Sequence, residues 1–184
     1  MAIRQRFSCP CVDGQQHVYV GELACTRLTW PGWLLGQIGR LIGAPLPLAC
    51  GGRLPVTVVV TESARRGGQI WTRLYGQERG LPQVIQSAKC MNGPTGCEEL
   101  VGAGIGMELV VSVERRALVF RSRRFFLRIG RRAVCLPRWL TPGDIEVTHR
   151  EERAGEFSFL LTVTHPLAGR IVEQLAFFRD GPYP

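Results

Sequence analysis

The sequence predicts a mainly β protein: a strongly curled antiparallel β-barrel with one helix near the N-terminus, placed as a lid. Three observations point there. Between Gly104 and Glu114, Ile105, Met107, Leu109, Val111 and Val113 take the odd positions, with Gly104, Gly106, Glu108, Ser112 and Glu114 between them. That period of two marks a strand with one buried and one wet face. The polar tetrapeptide Glu114-Arg115-Arg116-Ala117 then turns the chain into a second long strand, making a hairpin. In that second strand the apolar parity changes, from Leu118 and Phe120 to Phe125, Leu127 and Ile129. A β-bulge within Arg121–Arg124 explains the slip, and bulges let long strands bend towards closure.

The remaining elements follow in order. Residues 1–15 contain Pro10 and Gly14 and read as a flexible arm on a single domain spanning 1–184. His17 to Leu28 is a first strand, interrupted by Gly21. Pro31 is placed to open a helix that ends near Gly43, with Leu34, Leu35, Ile38, Leu41 and Ile42 on one stripe and Gln37 and Arg40 opposite. Glycines within it each cost about 1 kcal/mol relative to alanine, so the helix depends on tertiary packing. Packing of the stripe into the core is the expected outcome; contact of 31–43 with a membrane surface is the alternative. Arg40, Pro45 and Pro47 argue against a bilayer-spanning segment.

Beyond Gly52 the pattern is β throughout. Val56–Glu62 and Gln69–Tyr75 pair around a turn at Arg65–Gly68, Gln83–Ala88 is a further strand, and Cys90–Gly96 reads as a loop built on Asn92-Gly93-Pro94. Asp144–Glu152, Glu156–Thr164 and Gly169–Phe178 complete the set, the first two joined tightly by Arg153-Ala154-Gly155. Seven or more sequential strands with one early helix favour a barrel.

The net charge of +8 over 184 residues comes almost wholly from arginine, because Lys89 is the only lysine. Arginine suits phosphate, carboxylate or nucleic acid, and a coding preference for arginine is the plainer explanation. Seven scattered cysteines and no secretory leader pattern lead to the expectation of a reduced, cytoplasmic protein. Cys9-Pro10-Cys11 with His17 matches no paired zinc knuckle, and no phosphate loop or nucleophile elbow is present. Neither metal, cofactor nor catalytic residue is expected. Nine arginines between Arg115 and Arg138 interleave with Phe120, Phe125 and Phe126, as on a nucleic-acid-binding sheet. Those rings fit the inward alternation, and buried rings do not stack on bases, so nucleic acid is not the expected partner.

Trp71, Arg73 and Tyr75 share one face of their strand. If that face points inward, Arg73 needs a partner, and Glu99 is the natural one. A structural Arg73–Glu99 pair, an Arg73 that receives the carboxylate or phosphate head of a ligand, and a solvent-facing stripe are the three readings. His149 continues the inward parity of Ile145 and Val147, as a hydrogen-bonded core residue or an acid–base group. His165, one hairpin away, is a candidate neighbour of His149, and with Pro166 it shapes a turn. Phe157 and Phe159 lead the alternation of the next strand. The expected ligand-binding set is therefore Trp71, Arg73, Tyr75, Glu99, His149, Phe157 and Phe159, around a hydrophobic or amphipathic small molecule. An enzyme acting on a lipid-like substrate in the same cavity, or an interaction module using the arginine-rich face, are the alternatives.

Several short motifs carry a resemblance: Trp71-x-Arg73-x-Tyr75-Gly76, Glu99-x-x-Gly102, Leu136-Pro137 with Leu140 and Pro142, Glu152-x-x-Gly155-x-Phe157-x-Phe159, and His165-Pro166-Leu167-x-Gly169. Together, from Gly21 to Phe177, they resemble an uncharacterised bacterial family of domains of unknown function, found alone or fused behind reductase-like or membrane segments. The chain departs from that pattern at Glu173-Gln174-Leu175-Ala176, where a tyrosine and a glycine are expected, and Arg131–Val134 looks inserted. The resemblance implies a coherent fold and no established activity. By architectural analogy the barrel is calycin-like, a form in which about eight strands enclose one ligand.

Overall fold

The computed structural model describes residues 16–43, 45–50, 52–63, 68–94, 96–130, 132–153 and 155–181. The proposed arm at 1–15, with Cys9 and Cys11, and the turn at Arg65 lie outside them. Along the chain the elements are β1 (Gln16–Leu28), α1 (Trp30–Leu41), β2 (Leu54–Ser63), β3 (Gly68–Tyr75), β4 (Gln83–Gly93) and β5 (Gly96–Gly102). They continue as β6 (Ile105–Glu114), β7 (Ala117–Ile129), β8 (Arg132–Cys135), β9 (Asp144–Arg153), β10 (Glu156–His165) and β11 (Gly169–Asp180).

Ten of these strands form a closed antiparallel ring in the order β1-β2-β3-β4-β5-β6-β7-β9-β10-β11, and β11 returns to β1 from Leu28↔Val172 to Tyr19↔Asp180. Closure gives every barrel strand a neighbour on both sides, although β5 flanks only the first part of β6. β8 stands outside the ring, folded back on the end of β7. The segment that looked inserted in sequence is thus a short satellite hairpin.

The central hairpin is β6–β7. Glu114 pairs with Ala117 across Arg115 (φ 45°) and Arg116 (φ 64°), a two-residue turn with both central residues left-handed. Glu108 pairs with Arg124 and Leu109 with Ser122, so Arg123 is the extra residue of a bulge, as the change of parity requires. Two expectations for this hairpin fail. Val111 and Val113 are exposed, because registered partners on β5 stop at Glu98↔Glu108 and the lower half of β6 has lost that neighbour. Phe126 is buried on the outer face, where its ring covers Gly106 beside Leu100.

The region 90–102 also differs from expectation. β4 continues to Gly93, so most of the expected loop at Cys90–Gly96 is strand, and β5 follows at once. β5 escapes the period-two test because Glu98 and Glu99 are adjacent, charged and both buried, one on each face.

α1 is built inside out. Thr29 caps it by accepting the Gly32 amide at 3.4 Å, Pro31 occupies the first turn, and the Thr29 amide donates to the Ile171 carbonyl on β11 at 3.1 Å. The buried helix residues are Gly32, Gly36 and Gly39. A methyl group at Gly32 would meet the Ile171 carbonyl, and one at Gly36 would meet Leu48. Glycine lets the backbones approach, which offsets its cost in the helix. The expected core stripe is therefore wrong: of its members only Leu35 packs inward, with Val163, Ile171 and Val172. Trp30 (76% exposed), Trp33, Leu34, Ile38, Leu41 (87%) and Ile42 face outward. Past its end, Gly43 lies against Gly102 of the β5–β6 turn, so the helix bridges one end of the barrel. No helix among the described residues is long and apolar enough to cross a membrane.

Candidate functional site

Period two aims one residue in two of each strand at the barrel axis. Below α1 these residues leave a cavity of about 160 Å³. Val58, Ile85, Met107, Leu109, Phe120, Ile145, Val147, Phe159 and Leu161 make most of its wall, and Pro45, Leu46 and Pro47 border it beside the helix. Gln83 holds that border in place: its Nε2 donates to the Leu46 carbonyl at 3.0 Å, and its Oε1 accepts the Leu48 amide at 2.9 Å.

One side of the cavity is polar. Arg73 Nη2 lies 3.3 Å from Glu99 Oε1, and Arg73 Nη1 donates to Ser87 Oγ at 3.0 Å. The Ser87 hydroxyl donates to the same Glu99 oxygen at 2.5 Å. Lys89 Nζ approaches Glu99 Oε2 at 3.8 Å and sits over the rings of Trp71 (4.4 Å) and Phe120 (4.5 Å). Trp71 Nε1 donates to Gln69, which donates to Glu62 at 2.6 Å, continuing the polar chain below the cavity. Two basic side chains thus share one carboxylate within an apolar wall.

The electrostatics follow from burial and neighbours. Burial alone would raise Glu99, but Lys89, Arg73 and the Ser87 hydrogen bond outweigh it and hold the carboxyl below its usual range. Burial pushes the Lys89 ammonium below the usual lysine range, Glu99 opposes that, and Arg73 adds to it. Burial likewise raises the Tyr75 phenol.

The expected site residues separate into two groups. Trp71, Arg73, Tyr75, Glu99 and Phe159 line the cavity. His149 and Phe157 do not; they belong to the packed barrel below it, where the His149 ring lies tilted against Phe159 (4.3 Å) and Phe157 (4.9 Å). His149 and His165 are not neighbours. His149 pairs with Phe159, six residues from His165 along β10, a separation of roughly 20 Å at strand rise. His165 Nδ1 instead accepts the Leu167 amide at 3.2 Å and shapes the β10–β11 turn.

Lys89 and Ser87 are the site residues that sequence reasoning missed. The available signal was parity: Ile85, Ser87 and Lys89 share a face of β4, and Arg73 registers with Ile85. A strand drawn to end at Ala88 stops one residue short of the chain's only lysine.

The arginine-rich outer face carries its own acids. Arg121 pairs with Glu114 and with Glu146 (2.7 Å), Arg123 and Arg124 pair with Glu108, and Arg128 pairs with buried Glu98 at 2.7 Å. The Arg121 pair pulls exposed Glu114 down to about 2. Arg121, Arg123, Arg124 and Arg128 are thus each paired with an acid, while Arg115, Arg116 and Arg132 are exposed.

A family model described as Domain of unknown function (DUF4166) matches residues 1–178. The chain belongs to the DUF4166 family. Comparison with the curated proteins and with the solved structures finds no match. The motifs singled out in sequence now have places in this DUF4166 barrel. Trp71-x-Arg73-x-Tyr75 and Glu99 form the polar wall, whereas Phe157-x-Phe159 builds the packed layer and the adjoining edge of the cavity.

Proposed function

We propose that this DUF4166 domain is a non-enzymatic binding module for a small anionic amphipathic molecule, its acidic head at Arg73 and its apolar body in the barrel. One observation carries the reading. Among the described residues, the lining of a largely apolar cavity contributes two basic side chains, Arg73 and Lys89, and one acidic one, Glu99, beside the uncharged polar Ser87 and Gln174. A dry cavity of about 150 Å³ admits one benzene-sized body, so the part held inside is a ring or a chain of about six carbons. Native mass spectrometry of freshly purified protein, with solvent extraction of the bound mass, tests this. A reproducible acidic ligand is expected. Arg73→Ala should weaken its retention about 10–100-fold, the loss of one charge-assisted hydrogen bond. An apo mass that stays unchanged after incubation with medium-chain carboxylates and mixed cellular lipids would overturn the reading.

The outward face of α1 supports loading from an anionic membrane surface. Trp30 and Trp33 are suited to the headgroup layer, and Leu34, Ile38 and Leu41 to the acyl boundary. Exposed Arg27, Arg40, Arg53 and Arg79 lie at the same end of the barrel and complement negative headgroups. The protein should co-sediment with vesicles of mixed phosphatidylcholine and phosphatidylglycerol, and a Trp30→Ala, Trp33→Ala double variant should lose at least tenfold in affinity. Equal binding by that variant would exclude the helix face. The free thiols of Cys25, Cys50, Cys90, Cys97 and Cys135 fit a reducing, cytoplasmic setting.

A further inference from the structure

We propose that Lys89 is a covalent carbonyl-capture site: its amine forms an imine with an apolar 2-oxo acid lodged in the cavity, whose carboxylate Arg73 receives. The inference rests on the binding reading and names its ligand class.

Lys89 lies in the wall of the cavity, its side chain 5% exposed, between the faces of Trp71 and Phe120. Lysine in water is a protonated, poor nucleophile; lysine in a dry pocket beside another cation favours the neutral, reactive amine. Arg73 is that neighbouring cation, and Glu99, which favours the resting ammonium, is the base placed to take its proton when the amine reacts. Both basic groups reach the same carboxylate, at 3.3 Å and 3.8 Å on its two oxygens, so one carboxylate's width sets their spacing. Receptors so spaced suit a ligand whose carbonyl and carboxylate are adjacent, which is the constitution of a 2-oxo acid.

The chemistry closes without any further reagent. The neutral Lys89 amine attacks the carbonyl carbon, forming the C–N bond, while the carbonyl π electrons move to oxygen. A proton passes from nitrogen to that oxygen, with Glu99 Oε2 placed to relay it, giving a carbinolamine. Glu99 returns to the carbinolamine hydroxyl the proton it took from the Lys89 ammonium, the C–O bond breaks, water leaves, and a protonated imine remains. No group is oxidised or reduced, and hydrolysis reverses every step. The product suits its surroundings: the imine nitrogen carries the positive charge that the ammonium carried, with Glu99 as counter-ion and two ring faces beside it.

Lys89 being the only lysine makes the test clean, since the α-amino terminus is the one other primary amine. The native protein is incubated at neutral pH with 2-oxooctanoate or hexanal, reduced with cyanoborohydride, digested and mapped. A single stable adduct is expected on Lys89, absent from Lys89→Met, whose fold is checked by its thermal melt. Arg73→Gln should cut the 2-oxooctanoate yield at least tenfold and the hexanal yield by a smaller factor, because hexanal loses only the cation beside the amine and 2-oxooctanoate loses its carboxylate receptor as well. Labelling at the terminus alone, or Lys89 labelling no faster in native than in unfolded protein, overturns the proposal. Tryptophan quenching by 2-oxooctanoate separates the two claims. Quenching without an adduct removes the imine and leaves the binding module; neither signal removes both.

Discussion

Glu99→Ala should lower the unfolding free energy by about 3–5 kcal/mol, the cost of removing one partner from a buried charge cluster. The Glu99 side chain is 9% exposed and faces Arg73, Lys89 and the Ser87 hydroxyl, so its loss leaves two basic groups sharing an apolar cavity. Adding Lys89→Met should recover a large part of the deficit, because the second buried cation goes and a flexible apolar chain fills its volume. Denaturant midpoints of the three proteins measure this. A single variant within about 0.5 kcal/mol of wild type would show a hydrated, energetically idle cluster. The pH dependence has a defined sign. Glu99 is held below its unfolded value, so its stabilisation is present above the usual carboxylate range and lost as pH falls through the depressed folded value. Glu99→Gln should therefore flatten the acid limb of the stability profile.

Phe157→Ala should cost a similar amount, about 3–5 kcal/mol, for a different reason. Phe157 is 1% exposed and fills the barrel beneath the cavity. Its ring stacks on Phe178 at 5.6 Å, meets Tyr19 edge-on at 5.3 Å, and touches His149 and Phe159. Truncation removes the transfer energy of the ring and leaves a void that ten closed strands relax into poorly. The same void opens downwards from the cavity, so longer carboxylates should bind Phe157→Ala better than wild type. Phe157→Leu, which keeps most of the volume, should lose much less. A loss below about 1 kcal/mol in Phe157→Ala would show that Phe178 and Tyr19 collapse into the space.

Much of the barrel was legible in the residues. Period two in β6 and β10 reports directly which side chains share a face, because successive side chains of a strand point to opposite faces whatever the rest of the chain does. The bulge at Arg123 was legible for the same reason, as a change of parity. The pairing of Arg73 with Glu99 followed from the cost of burying a lone guanidinium. Parity also held the information about Lys89, which was lost by ending β4 too early.

Other features came only with the tertiary structure. Adjacent Glu98 and Glu99 hide β5 from any hydrophobic count, because each is buried by a partner from a distant strand, Arg128 for one and Arg73 with Lys89 for the other. The depth of His149 and its distance from His165 were set by register along β9 and β10. The helix inverts its apparent logic. An amphipathic pattern says which face is apolar, but burial went to the glycines, because only they let the helix backbone reach Ile171 and Leu48. Local periodicity by itself determined most of the strands, the inward face of β10 and the slip in β7. Closure of the ring, the inversion of α1 and the meeting of two cations on one carboxylate were decided by contacts far apart in sequence, which no local pattern encodes.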